Sequence, residues 1–222
     1  MTIRIRAVLG DYYHPAEWAE QALQAAVNLL NERRRSSGES AGFDLQTVSY
    51  ESLAETISDH PELLVIFKEQ RVNPEAEDPG EWMHADLQEN IVRYVEAGGA
   101  LLAWHAGLAY QSDGAYRRML RGWFLHHPEQ KTVTYRPAEG DHPLSRTEGF
   151  AFKDEHYFVH CEEAETNVFL TSESEDGRSI AGWSHEYGQG RVCCLTPTHT
   201  LEGLQDEGFL KLLADCLDYC LS

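Results

Sequence analysis

The stretch GGALLAWHAGLAY, Gly98 to Tyr110, carries an apolar run into a tight turn of small residues with His105 at its apex. Several α/β enzymes hold a catalytic nucleophile at such a strand-to-helix turn, with small residues two positions away on either side. Here Ala103 and Gly107 take the flanks, and an imidazole stands where a serine or cysteine would be. A histidine there exchanges protons near neutral pH rather than attacking carbon. Its ring is expected at the exposed tip of the turn, held neutral by the helix N-terminus behind it.

Other residues of the same chemistry lie near the ends of apolar runs. His126 and His127 follow Trp123-Phe124-Leu125, and in an extended segment only one of two neighbours faces a site. Asp154, Glu155 and His156 fall in FKDEHY, and His199 ends CCLTPTH. Strand-end histidines beside a carboxylate can act as acid and base or hold a divalent metal. Their spacing matches no zinc signature such as HExxH. Structural roles compete with each assignment: His105 as a ring bonded within its turn, Glu155 as the partner of an arginine, Arg191 as an anion contact or a structural cation. His14, His60, His84 and His185 lack supporting context and read as surface residues. Trp104, Trp123 and Trp183 suit a core, although a ring beside a polar cleft also suits the C–H faces of a sugar.

The elements that must position these groups follow from periodicity. Thr2 to Leu9 reads as a strand, and Pro15 opens a helical pattern through Trp18, Leu23, Ala26, Val27 and Leu30. SSGESAG is a polar loop. Phe43 to Ser49 reads as a strand, Leu53 to Ile57 as a short helix and Leu63 to Phe67 as a buried strand. A long loop, Lys68 to Glu81, precedes a helix from Trp82 to Ala97. Ala100 to Trp104 is a further buried strand, followed by the elbow and a helix to about Arg121. This alternation implies parallel strands with helices on both faces, and such sheets bind ligands at the carboxyl ends of their strands. Short strands follow at Thr132–Tyr135, Ala151–Val159, Asn167–Leu170, Ser179–Trp183 and Arg191–Leu195, with a hairpin at EYGQGR. A helix from Phe209 to Leu221 closes the chain. No composition shift divides the 222 residues, so a single domain, 1–222, is expected.

The formal net charge of −19 disfavours phosphate backbones and anionic headgroups, which excludes nucleic acid and membrane as expected partners. The N-terminal MTIRIRAVLG has arginines where a signal peptide needs an apolar core. Five cysteines without a CxxC fit reduced thiols and a cytoplasmic protein. Leu201 and Leu204 near the last helix leave room for a homodimer.

The succession GGALLAWHAG, YRRMLRGWFLHHP, DHPLSRTEGFAFKDEHY and IAGWSHEYGQGRVCCLTPTHT resembles the ThuA-like trehalose-utilisation family from about Gly98 to His199. The resemblance implies a flavodoxin-like three-layer sandwich with a mostly parallel sheet, similar to class I glutamine amidotransferases, with extra short strands in the C-terminal half. The family's shared polar residues fall on His105, His127, Asp154, Glu155, Arg191 and His199. It implies use of trehalose and related disaccharides through keto-sugars. Histidine at the elbow argues against thiol-based glutamine hydrolysis, and Cys161, Cys193 and Cys194 lie at no strand-to-helix turn. Other members often carry a His-rich segment after the third strand where a metal can be held. Here KEQRVNPEAEDPGEW has no histidine before His84, and Thr198 replaces the glycine before the final histidine.

Two functions are therefore expected. One is an enzyme acting on a disaccharide or keto-sugar, with His105, Glu155 and His199 catalytic and His127, Trp104, Asp154 and Arg191 binding substrate; the cofactor is open, a divalent metal among the options. The other is a sugar-binding or assembly module that kept the fold without the nucleophilic cysteine.

Overall fold

The computed structural model describes residues 2–38 and 42–222, so Glu39-Ser40-Ala41 at the centre of the SSGESAG loop lie outside the described residues. The elements run β1 (Thr2–Leu9), α1 (Ala16–Ser36), β2 (Gly42–Thr47), α2 (Leu53–Ser58), β3 (Leu63–Phe67), α3 (Ala85–Glu96), β4 (Ala100–Trp104), α4 (Ala115–Leu120), β5 (Gly122–His126) and β6 (Lys131–Pro137). They continue β7 (Phe150–Asp154), β8 (Phe158–Cys161), β9 (Asn167–Ser174), β10 (Gly177–Tyr187), β11 (Gly190–Leu195), α5 (Leu201–Leu204) and α6 (Glu207–Cys220).

Nine strands form one sheet in the order β2-β1-β3-β4-β11-β10-β9-β6-β7. The first five are parallel. From β10 onward the pairing is antiparallel, because the EYGQGR hairpin turns β10 back against β11. The sheet is therefore mixed rather than mostly parallel: the C-terminal strands extend the same sheet instead of decorating it. β5 and β8 pair separately as a two-stranded ribbon.

The central strands LLVIF and ALLAW are buried along their whole length, as parallel strands covered on both faces must be. Alternate side chains divide between two cores. Leu63, Val65, Phe67, Leu102, Trp104, Cys193 and Leu195 pack toward α1 and α6. Leu64, Ile66, Leu101, Ala103, Val192 and Cys194 pack toward α2, α3 and α4. Each fully buried aliphatic or aromatic side chain contributes about 1.5–3 kcal/mol. In α1 the buried Ala19, Ala22, Leu23, Ala26, Val27 and Leu30 follow helical spacing on one face.

Three expectations change. A single strand across Ala151–Val159 is split into β7 and β8, leaving Glu155-His156-Tyr157 as a free connection. The elbow opens only a short 3₁₀ turn, His105–Leu108, and α4 starts at Ala115. Leu204 is buried in its own chain, while Leu201 stays partly exposed. No helix among the described residues is long and apolar enough to cross a membrane.

Candidate active site

The carboxyl ends of the parallel strands gather the polar groups. After β1, Gly10 turns the chain at φ +83, with no room for a Cβ against Ala16, and donates its N–H to the Phe67 carbonyl at 2.9 Å. Only glycine accepts that conformation beside so close a neighbour. The turn delivers Asp11 and His14. After β3 come Lys68 and Glu69; after β4, His105; after β11, His199. The β7–β8 connection supplies Glu155 and Tyr157, and the end of β5 supplies His127.

His105 is not at an exposed tip. Its side chain is fully buried and its backbone takes φ +46. Gly107 makes the close turn: a Cβ there would stand 2.1 Å from the Ile66 carbonyl oxygen. The ring lies against Tyr157, centroids 4.1 Å apart. Its Nδ1–H donates to the Thr196 carbonyl at 2.6 Å, since a carbonyl can only accept. Nε2 of the neutral ring is thus a bare lone pair. Burial, then the neighbouring His14 and His199, hold this imidazole well below the usual histidine range. No helix dipole is needed for the neutral form.

Glu155 is the centre of the arrangement. Its Oε2 lies 3.3 Å from His199 Nδ1, 3.7 Å from His127 Nε2 and 3.9 Å from His105 Nε2. Burial raises the Glu155 carboxyl, but the contact with His199, with the further imidazoles around it, outweighs burial and holds it below the ordinary value. Burial likewise pulls His199 down, and the Glu155 carboxylate outweighs that and raises it. At 3.3 Å the pair is an ion-pair contact longer than a tight hydrogen bond. The His199 backbone N–H is fixed by Asp154 Oδ1 at 2.8 Å, while Asp154 Oδ2 accepts from the Tyr135 hydroxyl at 2.7 Å. Burial lifts this carboxyl to about 6.

His14, expected on the surface, is buried here. Its Nδ1–H donates to Asp11 Oδ1 at 2.6 Å. Burial raises the Asp11 carboxyl, but hydrogen bonds from His14 and the backbone outweigh it and hold it below its ordinary value. The His14 ring meets His199 at 4.6 Å and His105 at 5.0 Å between centroids. His127 donates Nδ1–H to the Pro128 carbonyl at 2.9 Å and turns its Nε2 toward Glu155. A cavity of about 340 Å³ opens above, lined by Tyr13, His14, Glu69, Phe124, His127, Glu155, Tyr157 and His199, with Arg71 and Ala109. Among the described residues, His14, His105, Glu155 and His199 form the group of donors that could hold a metal.

Other candidates lie elsewhere. Trp104 alternates into the α1/α6 core, where its Nε1–H donates to the Pro197 carbonyl at 2.6 Å, so it offers no platform to substrate. Arg191 reaches the C-terminus instead: its guanidinium covers the Tyr219 ring and donates to the Tyr219 carbonyl. Asp154 is buried and touches His199 rather than the cavity. His156 turns away to Ser172 and Ser174, and His126 stacks on Phe158. His185 is buried against the Met119 carbonyl, while His60 and His84 are exposed as expected. Asp11, His14, Glu69, Phe124 and Tyr157 join the site unforeseen. The strand-end rule, applied to β1 and β3 as well as β4, would have pointed to the first three.

A family model described as trehalose utilisation, ThuA, matches residues 12–220. No curated protein matches the chain in sequence. Among solved structures, a ThuA-like protein from Bacteroides uniformis ATCC 8492 superposes with TM-score 0.66 at 16% identity, covering 100% of this chain and 91% of that one. A Salmonella typhimurium LT2 protein described as cytoplasmic gives 0.65 at 14% identity, covering 99% of both chains. A β-galactosidase from Rahnella sp. R3 gives 0.57 at 14% identity, covering 96% of this chain but 31% of that one. At these identities the likeness is one of fold. The family match spans nearly the whole sequence, and the chain belongs to the ThuA, trehalose-utilisation family.

Proposed function

We propose that this protein is an enzyme of carbohydrate metabolism that acts on a disaccharide or keto-sugar by proton transfer between histidine and carboxylate groups. One observation carries the reading: a single carboxylate oxygen of Glu155 faces three imidazoles at the wall of a cavity. The cavity is within the range of small-ligand sites, roughly 300–1,000 Å³. Phe124 and Tyr157 supply rings for the apolar faces of a sugar.

His105 lies behind this wall, so the proton acceptor is His127, whose Nε2 lone pair stands at the rim. It takes a proton α to a keto group. His199, whose pKa the Glu155 carboxylate raises, hydrogen-bonds the developing oxyanion in its protonated form and returns a proton to it. Asp154 positions His199 through its backbone, and His105 shapes the floor on which Glu155 rests.

The finer architecture belongs to the same proposal. The parallel strands, β2-β1-β3-β4-β11, have the order 2-1-3-4-5 of flavodoxin-like sheets. That order supports a relationship to the glutamine amidotransferase fold, without its thiol chemistry. A cytoplasmic location fits the free cysteines and the description of the Salmonella neighbour.

His127→Ala should lower kcat/KM on 3-keto-disaccharides by about 10²- to 10⁴-fold, the usual contribution of a general base. An unchanged rate refutes the assignment. Complete burial of the elbow residue favours a second reading, a sugar-binding module. Calorimetric binding of disaccharides by the wild type without turnover would select it.

A further inference from the structure

Three imidazole nitrogens and a carboxylate oxygen, from His14, His105, His199 and Glu155, lie within 4.8 Å of one another. Proton accounting makes this grouping unusual. The Nδ1–H groups of His14 and His105 are committed to Asp11 and to the Thr196 carbonyl. The inward Nε2 of the neutral His105 ring is therefore a lone pair, the inward Nε2 of His14 is the ring atom left for a ligand, and ionised Glu155 is acceptor-only. Both Nε2 atoms and His199 Nδ1 are buried without a hydrogen-bond partner. The Nε2 atoms and the carboxylate crowd one point with only the His199 proton to share among them, and a metal cation in place of that proton engages all four donors at once.

We propose that His14, His105, His199 and Glu155 bind one divalent first-row transition-metal ion. The donor set of imidazole and carboxylate suits zinc, iron or manganese. Donors on a common ion at about 2.1 Å stand roughly 3 to 4.2 Å apart. The 3.3 and 3.9 Å separations fall within that range, and closing the widest pair takes about half an ångström. The surroundings are those of a metal centre: the remote nitrogens of two histidines are held by a carboxylate and a backbone carbonyl, which fix ring orientation and tautomer. No cysteine contributes, and the ligands come from the ends of β1, β4 and β11 and the β7–β8 connection, with none from the loop after β3.

Four protein donors leave room on a six-coordinate ion for oxygens entering from the cavity. Adjacent keto and hydroxyl oxygens of a sugar would chelate there, taking over the electrophilic role assigned above to His199. This last step rests on the keto-sugar reading; the metal site itself does not. His127 lies outside the donor set and keeps its Nε2 for proton transfer.

The test is equilibrium dialysis of chelator-stripped, full-length protein against Zn²⁺ or Co²⁺, with metal quantified per chain and the Co²⁺ visible spectrum recorded. One ion per chain is expected. His14→Ala and the isosteric Glu155→Gln should each weaken binding about 100-fold or more, with circular dichroism reporting the fold, while His126→Ala leaves it unchanged. Absence of a stoichiometric ion at submillimolar metal, or wild-type affinity in a folded Glu155→Gln, overturns the proposal. Keto-sugar turnover is read separately: metal bound without turnover upholds the site and removes the substrate reading, whereas turnover by stripped protein that binds no ion does the reverse.

Discussion

Replacing Asp154 by asparagine should change how stability depends on pH, in a direction opposite to that of most carboxylates. Asp154 is fully buried, and burial raises its carboxyl from an ordinary 3.8 to about 6 despite hydrogen bonds from Tyr135 and the His199 backbone. The folded chain holds this proton more tightly than the unfolded chain. The resulting stabilisation is fully present below the unfolded value and is lost as pH rises through about 6. At about 1.4 kcal/mol per pKa unit the whole effect is about 3 kcal/mol, of which roughly 2 kcal/mol falls between about pH 4.5 and 7. Asparagine keeps an oxygen for the His199 N–H, and its amide nitrogen can donate to the Tyr135 hydroxyl. Urea unfolding of wild type and Asp154→Asn across that range reads the residue, because titrating groups that do not sense Asp154 cancel in the difference and the coupling to His199 is the smaller contribution. Wild type should lose about 2 kcal/mol relative to the variant as pH rises. Parallel curves, or a wild type that gains on the variant, would show that Asp154 is ionised at little cost and that its burial has been misjudged.

Gly107→Ala should cost about 3 kcal/mol or more, because the new Cβ meets a carbonyl of β3, which cannot swing aside; a melting temperature within a degree or two of wild type would contradict the turn geometry. Arg191→Ala should lose about 1 kcal/mol from the contacts to Tyr219, with kcat and KM untouched, and a raised KM would return Arg191 to the site. In metal-free protein the alkaline limb of kcat/KM reports loss of the His199 proton. Glu155→Gln removes the charge that raises this pKa, so the limb should move to lower pH; a stationary limb assigns it to another group.

Much of the site was legible because local chemistry marks strand ends. His105, His127, Glu155 and His199 each lie at or just beyond the end of a strand, and the structure brings all four together. Asp11 and His14 were passed over although they follow a strand end, because the segment after Leu9 is polar and gives no periodic cue to where it goes. Its destination depends on β1 lying beside β3. Trp104 misled for a related reason. It neighbours the elbow histidine in sequence, yet consecutive residues of a strand face opposite sides, and which side is cavity depends on what lies beyond the strand.

Residue order and hydrophobic period were enough to determine most strands and helices of the first half, the buried central pair LLVIF and ALLAW, the hairpin and the closing helix, since each follows from contacts within a few positions. Only the tertiary structure decided that the late strands extend the first sheet, that the elbow ring is buried, and that four loops distant in sequence bring their donor atoms to one point. Strand order is chosen by packing over the whole chain, and no local window contains that information.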